Sequence, residues 1–496
     1  MMEQGAGQPG MVERIRLALE RAGQLVEVRG VLPTEIAGIT DDSRQVTAGH
    51  GFVAVRGSAR DGHDFLAAVA AADAGLVIVE DPGSCPVPAL IVRESRIAAA
   101  VAAAAFYGEP ATHLTLIGVT GTNGKTTTVH ILRHLLDAPS GRAASLGTIG
   151  VRIGSEGRTL PGGSGLTTPG PIELQRVLRA LVEAGVTTVA MECSSHALHQ
   201  RRMYGLSYAA AVYTNLTREH LDYHGTMEAY RDAKALLLAQ LAPSGTAILN
   251  ADDPMWAGLP AVPQTLRFSM TDPEAAVCAA DLRYRAGGSD WTLVTAQGRF
   301  PVAFPLMGDF NVANALAAAG AALAVGMPAA TIAERLGSVP QVPGRLEVLH
   351  EHPTVLRDYA HTPDAYERVL TALRPYTAGR IILVFGCGGD RDRGKRPLMA
   401  TVAHRLADRL VITDDNPRTE DPDQIIADTV APLPPGSFEV IRDRREGIAH
   451  ALRLADPATD VVLMVGKGPD TYQIYGTTKY PFDEREIVLD LLRGSA

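Results

Sequence analysis

Leu114-Thr-Leu-Ile-Gly118-Val119-Thr120-Gly121-Thr122-Asn123-Gly124-Lys125-Thr126-Thr127 is the stretch whose reading decides the fold. Its apolar, β-branched start, Leu114 to Val119, predicts a buried strand. Gly121 and Gly124 predict a turn, and the apolar spacing from Thr126 to Leu136 predicts a helix. A strand, a glycine turn and a helix N-terminus make an anion site, because the turn's N–H groups and the helix dipole point at the same spot. Gly121, Thr122, Asn123 and Gly124 line that turn. Lys125 would reach the β- and γ-phosphates, and the Thr126 hydroxyl would ligate Mg²⁺, with Thr127 completing the candidate nucleotide contacts. The strict G-x-x-x-x-G-K-[ST] spacing is not met, since Val119 holds the first glycine position and Gly118 lies one residue earlier. The stretch reads as a nucleoside-triphosphate site.

The chain around it has 496 residues, too many for one core, which predicts two to four domains. Charged residues at 20% and apolar residues at 46% describe a globular protein. A net charge of −9 argues against a general nucleic-acid grip, which needs a basic stripe. The cysteines, Cys85, Cys193, Cys278 and Cys387, form no C-x-x-C pair, which favours a reducing compartment over zinc or disulfides. Met1 to Gly10 lacks the charged-then-apolar pattern of a secretory signal. Ala315 to Ala330, the most apolar stretch, is rich in Ala and Gly and broken by Pro328, short of the ~20 strongly apolar residues of a membrane span. A cytoplasmic protein with no membrane partner is expected.

Short strands and helices alternate from residue 1 to about 110. Val12 to Ala22 and Arg96 to Tyr107 read as helices, Gly51 to Val55 and Gly75 to Val79 as strands. Asp42-Ser43-Arg44 and the loop Arg56 to Gly62 suit a sugar or phosphate, although an ordinary polar loop reads the same way. Past the glycine turn, the strand Val186 to Ala190 ends in Met191-Glu192-Cys193-Ser194, and the strand Tyr208 to Tyr213 ends in a polar run to Gly225. Ligands collect at the carboxyl ends of strands in α/β sheets, so Glu192 and His220 are candidate metal ligands. Tyr230 to Leu241 reads as a helix bearing Lys234, for which a solvated lysine is the plain alternative. Asn311 and Asn314 stand a turn apart at the start of another helix, placed to cap it or to bind a nucleotide. Val342 to Glu347 reads as a linker into a third, Rossmann-like region with strands Ile381 to Phe385, Arg409 to Thr413 and Val461 to Val465. Each of these ends in a polar loop, Gly386 to Arg396, Asp414 to Arg418 and Gly466 to Asp470, and three such loops in one sheet converge on one crevice.

Taken in order, Thr120 to Thr126, Glu192, His220 to Gly225, the Asn311/Asn314 helix, Gly344-Arg345-Leu346-Glu347, Asp358-Tyr-Ala-His-Thr-Pro363, Asp390-Arg391-Asp392 and Asp415-Asn416-Pro417-Arg418 resemble the motifs of the Mur ligases. These are ATP-dependent amino-acid ligases of bacterial cell-wall precursor synthesis. The resemblance implies an α/β protein of three domains: a UDP-sugar-binding domain (1–110), a central P-loop ATPase domain with a mostly parallel sheet (111–341) and a Rossmann-like amino-acid-binding domain (342–496). It implies that meso-diaminopimelate is added to the D-glutamate of UDP-N-acetylmuramoyl-L-alanyl-D-glutamate, through an acyl phosphate, by a monomer acting on small molecules alone. Carried across residue by residue, Ser43, Ser58, Ala59 and Arg60 would meet the UDP part. Thr167, Thr168, Ser194, Gln200 and Arg202 would hold the muramoyl-peptide, and Asn311 and Arg345 would join the P-loop on ATP. Arg391, Asp415, Asn416, Pro417, Arg418, Gly466 and Asp470 would take diaminopimelate. Lys234 matches a position carbamylated in the family; its carbamate and His220 would hold a second Mg²⁺, besides the one met by Thr126 and Glu192.

Two departures stand out: Pro469-Asp470 replaces an expected His-Glu pair, and Leu166 precedes Thr167 where some relatives have Asn. Arg418 accounts physically for selectivity, because its fork can bind the distal carboxylate that separates diaminopimelate from lysine. A folylpolyglutamate-synthase-like ligase would share the P-loop but neither the first domain nor the Asp-Asn-Pro-Arg loop. A nucleotide-dependent switch would need the P-loop alone.

Overall fold

A computed structural model describes residues 9–57, 60–138, 141–163, 165–285 and 287–494. The chain forms two compact units, the first of 1–278, 294–298 and 314–332, the second of 279–293, 299–313 and 333–496.

The first unit carries two sheets. In the smaller one the strands run in the order Leu25–Arg29, Ala89–Val92, Leu76–Val79, Gly51–Val53, Ile39–Thr40. All are parallel except the first pair. The helices Met11–Arg21 and Ser95–Phe106 cover one face, where Ile15 and Leu19 meet Ala99 and Ala103 above Leu76 and Ile78. Alanines at the contact let the helices approach closely.

The larger sheet is centred on Thr115–Thr120, flanked in parallel by Val186–Glu192 and Tyr208–Tyr213, with Arg142–Gly147 and Leu241–Asn250 outside them. Register aligns Glu192 with Val119 and Tyr213 with Thr120, so three strand ends open at one level. That alignment brings the P-loop and two downstream polar loops together. The strands, covered on both faces, read as continuous apolar runs, as a buried parallel sheet requires. The helix expected over Tyr230 to Leu241 instead spans Met227–Ala235, followed by a turn at Leu238–Gln240 and a strand from Leu241. Thr226 caps the helix early by accepting from the Ala229 amide, and Pro243 bars helical geometry at the residue before it.

The second unit has a six-stranded sheet ordered Glu347–Glu351, Thr354–Asp358, Val461–Val465, Ile381–Phe385, Arg409–Ile412, Glu439–Val440, parallel except for the first strand. Alternate residues feed opposite cores: Leu383, Phe385 and Leu463 pack on one face, Ile382, Val384 and Val462 on the other. Val342 to Glu347, read as a linker, is a packed bend: Val342 is buried, the Gly344 amide donates to the Glu347 carboxylate at 2.7 Å, and the Leu346 amide donates to Asp358 at 2.7 Å. Among the described residues no helix is long and apolar enough to cross a membrane.

Candidate active site

Gly121 and Gly124 have φ of +146° and +86°, values that favour glycine. A Cβ on Gly121 would collide with the Thr214 hydroxyl, and one on Gly124 with the Asn314 amide. The loop after Tyr213 braces the turn. The Asn215 carbonyl accepts from the Thr122 amide at 2.7 Å, its side chain accepts from the Asn123 amide at 3.0 Å, and the Thr214 hydroxyl donates to the Asn123 carbonyl at 2.6 Å. The helix Lys125–Leu136 follows directly, with Thr126 and Thr127 buried in its first turn. The Lys125 ammonium lies folded on the turn, donating to the carbonyls of Gly121 at 2.8 Å and Thr122 at 2.7 Å.

Lys234 is not the solvated lysine its helix position allowed. Its side chain is buried, its Nζ donates to the Gly121 carbonyl at 2.7 Å, and the Tyr230 ring centroid lies 4.5 Å away. Burial, and then the charge of Lys125, lower the Lys234 ammonium well below its ordinary range, which favours the neutral, nucleophilic amine.

Glu192, also buried, accepts from the Thr148 amide at 2.8 Å and the Thr148 hydroxyl at 3.2 Å. The Thr148 hydroxyl lies 3.2 Å from that of Thr167. The Thr168 hydroxyl donates to the Glu192 carbonyl at 2.7 Å and accepts from the Ser194 amide at 3.1 Å. Arg202 extends the network, donating to the Thr168 carbonyl at 2.9 Å and to the Gln200 side chain at 2.6 Å, while Gln200 donates to the Tyr223 hydroxyl at 3.2 Å. Glu192, Thr167, Thr168, Ser194, Gln200 and Arg202 therefore form one hydrogen-bonded network, in which Thr148, which no sequence pattern marked, joins Thr167 to Glu192.

Ser43 lies in the turn Ser43–Gln45, whose cap Asp42 accepts from the Arg44 amide. The neighbouring Asp41 lies within electrostatic reach of Arg202, which brings this loop of the smaller sheet to the same network. The Arg60 carbonyl accepts from the Gly57 amide at 2.9 Å, while Ser58 and Ala59 lie outside the described residues.

His220 holds a left-handed φ of +56° at the start of the short helix Leu221–His224, its ring edge-on to His196 at 4.8 Å. Partial burial holds its imidazolium below the ordinary range, leaving the neutral form that ligates metals. Among the described residues, no set of three or more His, Cys, Asp or Glu side chains is placed to hold a metal. The buried Glu192 carboxylate and the Thr126 hydroxyl are oxygen donors of the kind Mg²⁺ takes while keeping several waters, whereas the His220 imidazole is a softer donor. A lysine-borne carbamate would add a further oxygen donor.

In the second unit, Asn311 lies buried in the first turn of the helix Asp309–Ala324, donating to the Met307 carbonyl at 2.7 Å. The Arg345 guanidinium lies 4.7 Å from the Tyr359 ring centroid. The three polar loops converge as expected. The Gly389 amide donates to the Asn416 carbonyl at 2.9 Å, Arg418 donates to the Gly389 carbonyl at 2.8 Å, and the Lys467 ammonium reaches Asn416 at 3.2 Å and Asp415 at 3.4 Å. A Cβ on Gly389 would collide with the Pro417 carbonyl, and Gly466 at φ +107° passes beside the Asp415 carboxylate. Burial, and then the nearby charge of Arg391, lower the Arg418 guanidinium from its ordinary range. Burial raises the Asp470 carboxyl, against the pull of Lys467. Sequence reasoning gave Lys467 no role, although it stands beside Gly466 in the loop already singled out. It also passed over the hairpin Tyr472–Tyr475/Thr478–Pro481, which lies against this loop.

Three family models match the chain: "Mur ligase family, catalytic domain" over residues 35–122, "Mur ligase middle domain" over 119–322, and "Mur ligase, glutamate ligase domain" over 344–468. The UDP-N-acetylmuramoyl-L-alanyl-D-glutamate--2,6-diaminopimelate ligase of Geobacillus thermodenitrificans is 45% identical over 466 residues, covering 91% of this chain and 94% of its own. The ligase of the same name from Synechococcus elongatus is 46% identical over 473 residues, 92% of this chain and 93% of its own. A solved structure of a ligase of that name superposes with a TM-score of 0.66 at 35% identity, over 95% of this chain and 97% of the other.

Proposed function

The chain belongs to the Mur ligase family, an ATP-dependent amide-bond-forming family, and on that premise we propose that it joins meso-2,6-diaminopimelate to the D-glutamate of UDP-N-acetylmuramoyl-L-alanyl-D-glutamate. The feature that supports the choice of amino acid is the Asp415-Asn416-Pro417-Arg418 loop, with the Arg418 guanidinium on the Gly389 carbonyl, Arg391 on the neighbouring loop, and the Asp415 and Asp470 carboxylates in the loops beside them. Two guanidinium groups and two carboxylates match the two carboxylates and two ammonium groups of diaminopimelate.

An acid and an amine at neutral pH form a salt, so the carboxylate needs activation. The side-chain carboxylate of the D-glutamate attacks the γ-phosphorus of ATP, the bond to the β-phosphate oxygen breaks, and ADP leaves. The amine of diaminopimelate then attacks the acyl carbon, phosphate departs, and the amine gives up a proton. The P-loop amides and Lys125 hold the phosphates and neutralise developing charge, so positioning supplies most of the acceleration. Thr126 and Glu192 would hold one Mg²⁺, and His220 with a carbamate on Lys234 a second, which supply positive charge at the phosphoryl oxygens when bound. The neutral amine favoured at Lys234 is the form that adds to carbon dioxide. Thr167, Thr168, Ser194, Gln200 and Arg202 orient the muramoyl-peptide, with Ser43 and the 58–60 loop toward the UDP end.

The proposal includes domain limits near residues 110 and 341 and action as a cytoplasmic monomer on small molecules, with no nucleic-acid partner. Its product would serve peptidoglycan synthesis and thereby cell shape and division. The test is phosphate release from ATP with all three substrates and with each omitted, alongside the mass of the product. Release that needs both the UDP-muramoyl-dipeptide and diaminopimelate is expected. Equal release with neither present would overturn the proposal.

A further inference from the structure

Arg418 holds a left-handed φ of +53°, a conformation that a residue bearing a side chain keeps only where its surroundings impose it. Here they do. Its amide donates to the Ile474 carbonyl at 3.0 Å, and its carbonyl accepts from the Gly476 amide at 2.7 Å. The rest of the loop is gripped by the same hairpin. The Gln473 side chain donates to the carbonyls of Asp414 at 3.2 Å and Asp415 at 3.1 Å, and the Ile474 amide donates to the Asn416 side chain at 3.0 Å. Lys467 closes the arrangement from the other side. Its side chain is fully buried and its ammonium reaches Asn416 and Asp415, tying the Gly466 to Asp470 turn to the loop. The Tyr472 and Phe482 rings each lie 5.9 Å from that nitrogen.

We infer that Lys467 and the hairpin Tyr472–Pro481 form a frame that sets amino-acid selectivity, Lys467 being a positioning residue that acts through Arg418. The inference rests on the reading of Arg418 as the group that meets the distal carboxylate. The hydrogen bonds of the Lys467 ammonium go to two residues of the Asp-Asn-Pro-Arg loop, and the hairpin holds that loop through the carbonyls of Asp414 and Asp415, the Asn416 side chain and both backbone groups of Arg418.

The test measures ligation kinetics with diaminopimelate and with lysine for the parent, Lys467→Gln, Gly476→Pro, Arg418→Ala and the Lys467→Gln/Arg418→Ala double variant, with thermal denaturation of each. Lys467→Gln should raise KM for diaminopimelate by roughly ten- to a hundredfold, as expected for loss of a charged hydrogen bond, while KM for ATP and the UDP-muramoyl-dipeptide changes less than about twofold. Preference over lysine should narrow. In the Arg418→Ala background the same change should add less than about threefold, because coupled residues do not add. Gly476→Pro lies at an exposed turn; it removes the N–H on Arg418 and excludes φ of +60°, so it carries the same prediction if Lys467→Gln fails to fold. A lowered melting temperature with preference intact and all three KM values shifted alike would show a merely structural role and overturn the inference. Full additivity in the double variant would do the same. If Arg418→Ala itself leaves the preference unchanged, the Arg418 reading fails and the inference falls with it, a pattern distinct from failure at Lys467 alone.

Discussion

Lys234 lies beneath the Tyr230 ring with its nitrogen on the Gly121 carbonyl, so its replacement touches both chemistry and packing. Lys234→Ala should nearly abolish ligation. Unlike loss of a surface lysine, it should also lower stability by about 1–3 kcal/mol, because a fully buried side chain packed on the Tyr230 ring is removed, while the Gly121 carbonyl keeps Lys125 as a donor. Recovery of turnover on adding a small carboxylic acid would support the carbamate; unchanged turnover would remove Lys234 from the mechanism. Arg418→Ala is expected to cost about 2–5 kcal/mol on diaminopimelate, tens- to thousands-fold, while lysine holds level or gains. Equal loss of both amino acids would mean that Arg418 shapes the loop without reading the carboxylate. At this scale the glycine turn was legible, because Gly121 and Gly124 take positive φ and start a helix at Lys125, which local sequence encodes. Thr148 and Asn215 carried no local signal, since their partners Glu192 and Asn123 lie 44 and 92 residues away.

Within the helix Lys125–Leu136, His130 is buried and lies 3.0 Å from Arg133, and its imidazolium is pushed from 6.5 to about 3, first by burial and then by the Arg133 charge. As pH falls below 6.5 the unfolded chain takes up a proton that the folded helix refuses until about 3. The stabilisation is therefore complete above pH 6.5 and is lost progressively toward pH 3. His196 and His224, each pushed to about 4 by burial, add a dependence of the same sign. His130→Gln keeps an acceptor for Arg133, and it should shrink the difference in urea midpoint between pH 7 and pH 4.5. An unchanged difference would place the pH dependence elsewhere. The helix Met227–Ala235 shows what periodicity misses: Leu237 and Leu238 belong to the core of the first unit, and capping and Pro243, not hydrophobic spacing, decided where helix gave way to strand.

Across the whole molecule the second unit draws on separated segments, since Met307 enters the same core as Leu356, Leu383 and Phe385. Met307→Ala should destabilise that unit by about 2–5 kcal/mol, read from hydrogen exchange of the Ile381–Phe385 and Val461–Val465 amides; unchanged protection would exclude Met307 from the core. The α/β class, the P-loop, the order of strands along the chain and the polar loop at each strand end followed from the sequence alone. Each depends on interactions among near neighbours, where apolar alternation, β-branching and glycine geometry act. Which loops become neighbours was decided by the tertiary structure. The sheet seats Val461–Val465 between Thr354–Asp358 and Ile381–Phe385, and Val186–Glu192 beside Thr115–Thr120. Only that ordering sets Lys234 on Gly121, 113 residues away, and Lys467 on Asn416, 51 residues away. Side chains so distant in sequence are matched by packing, and no local pattern encodes the match.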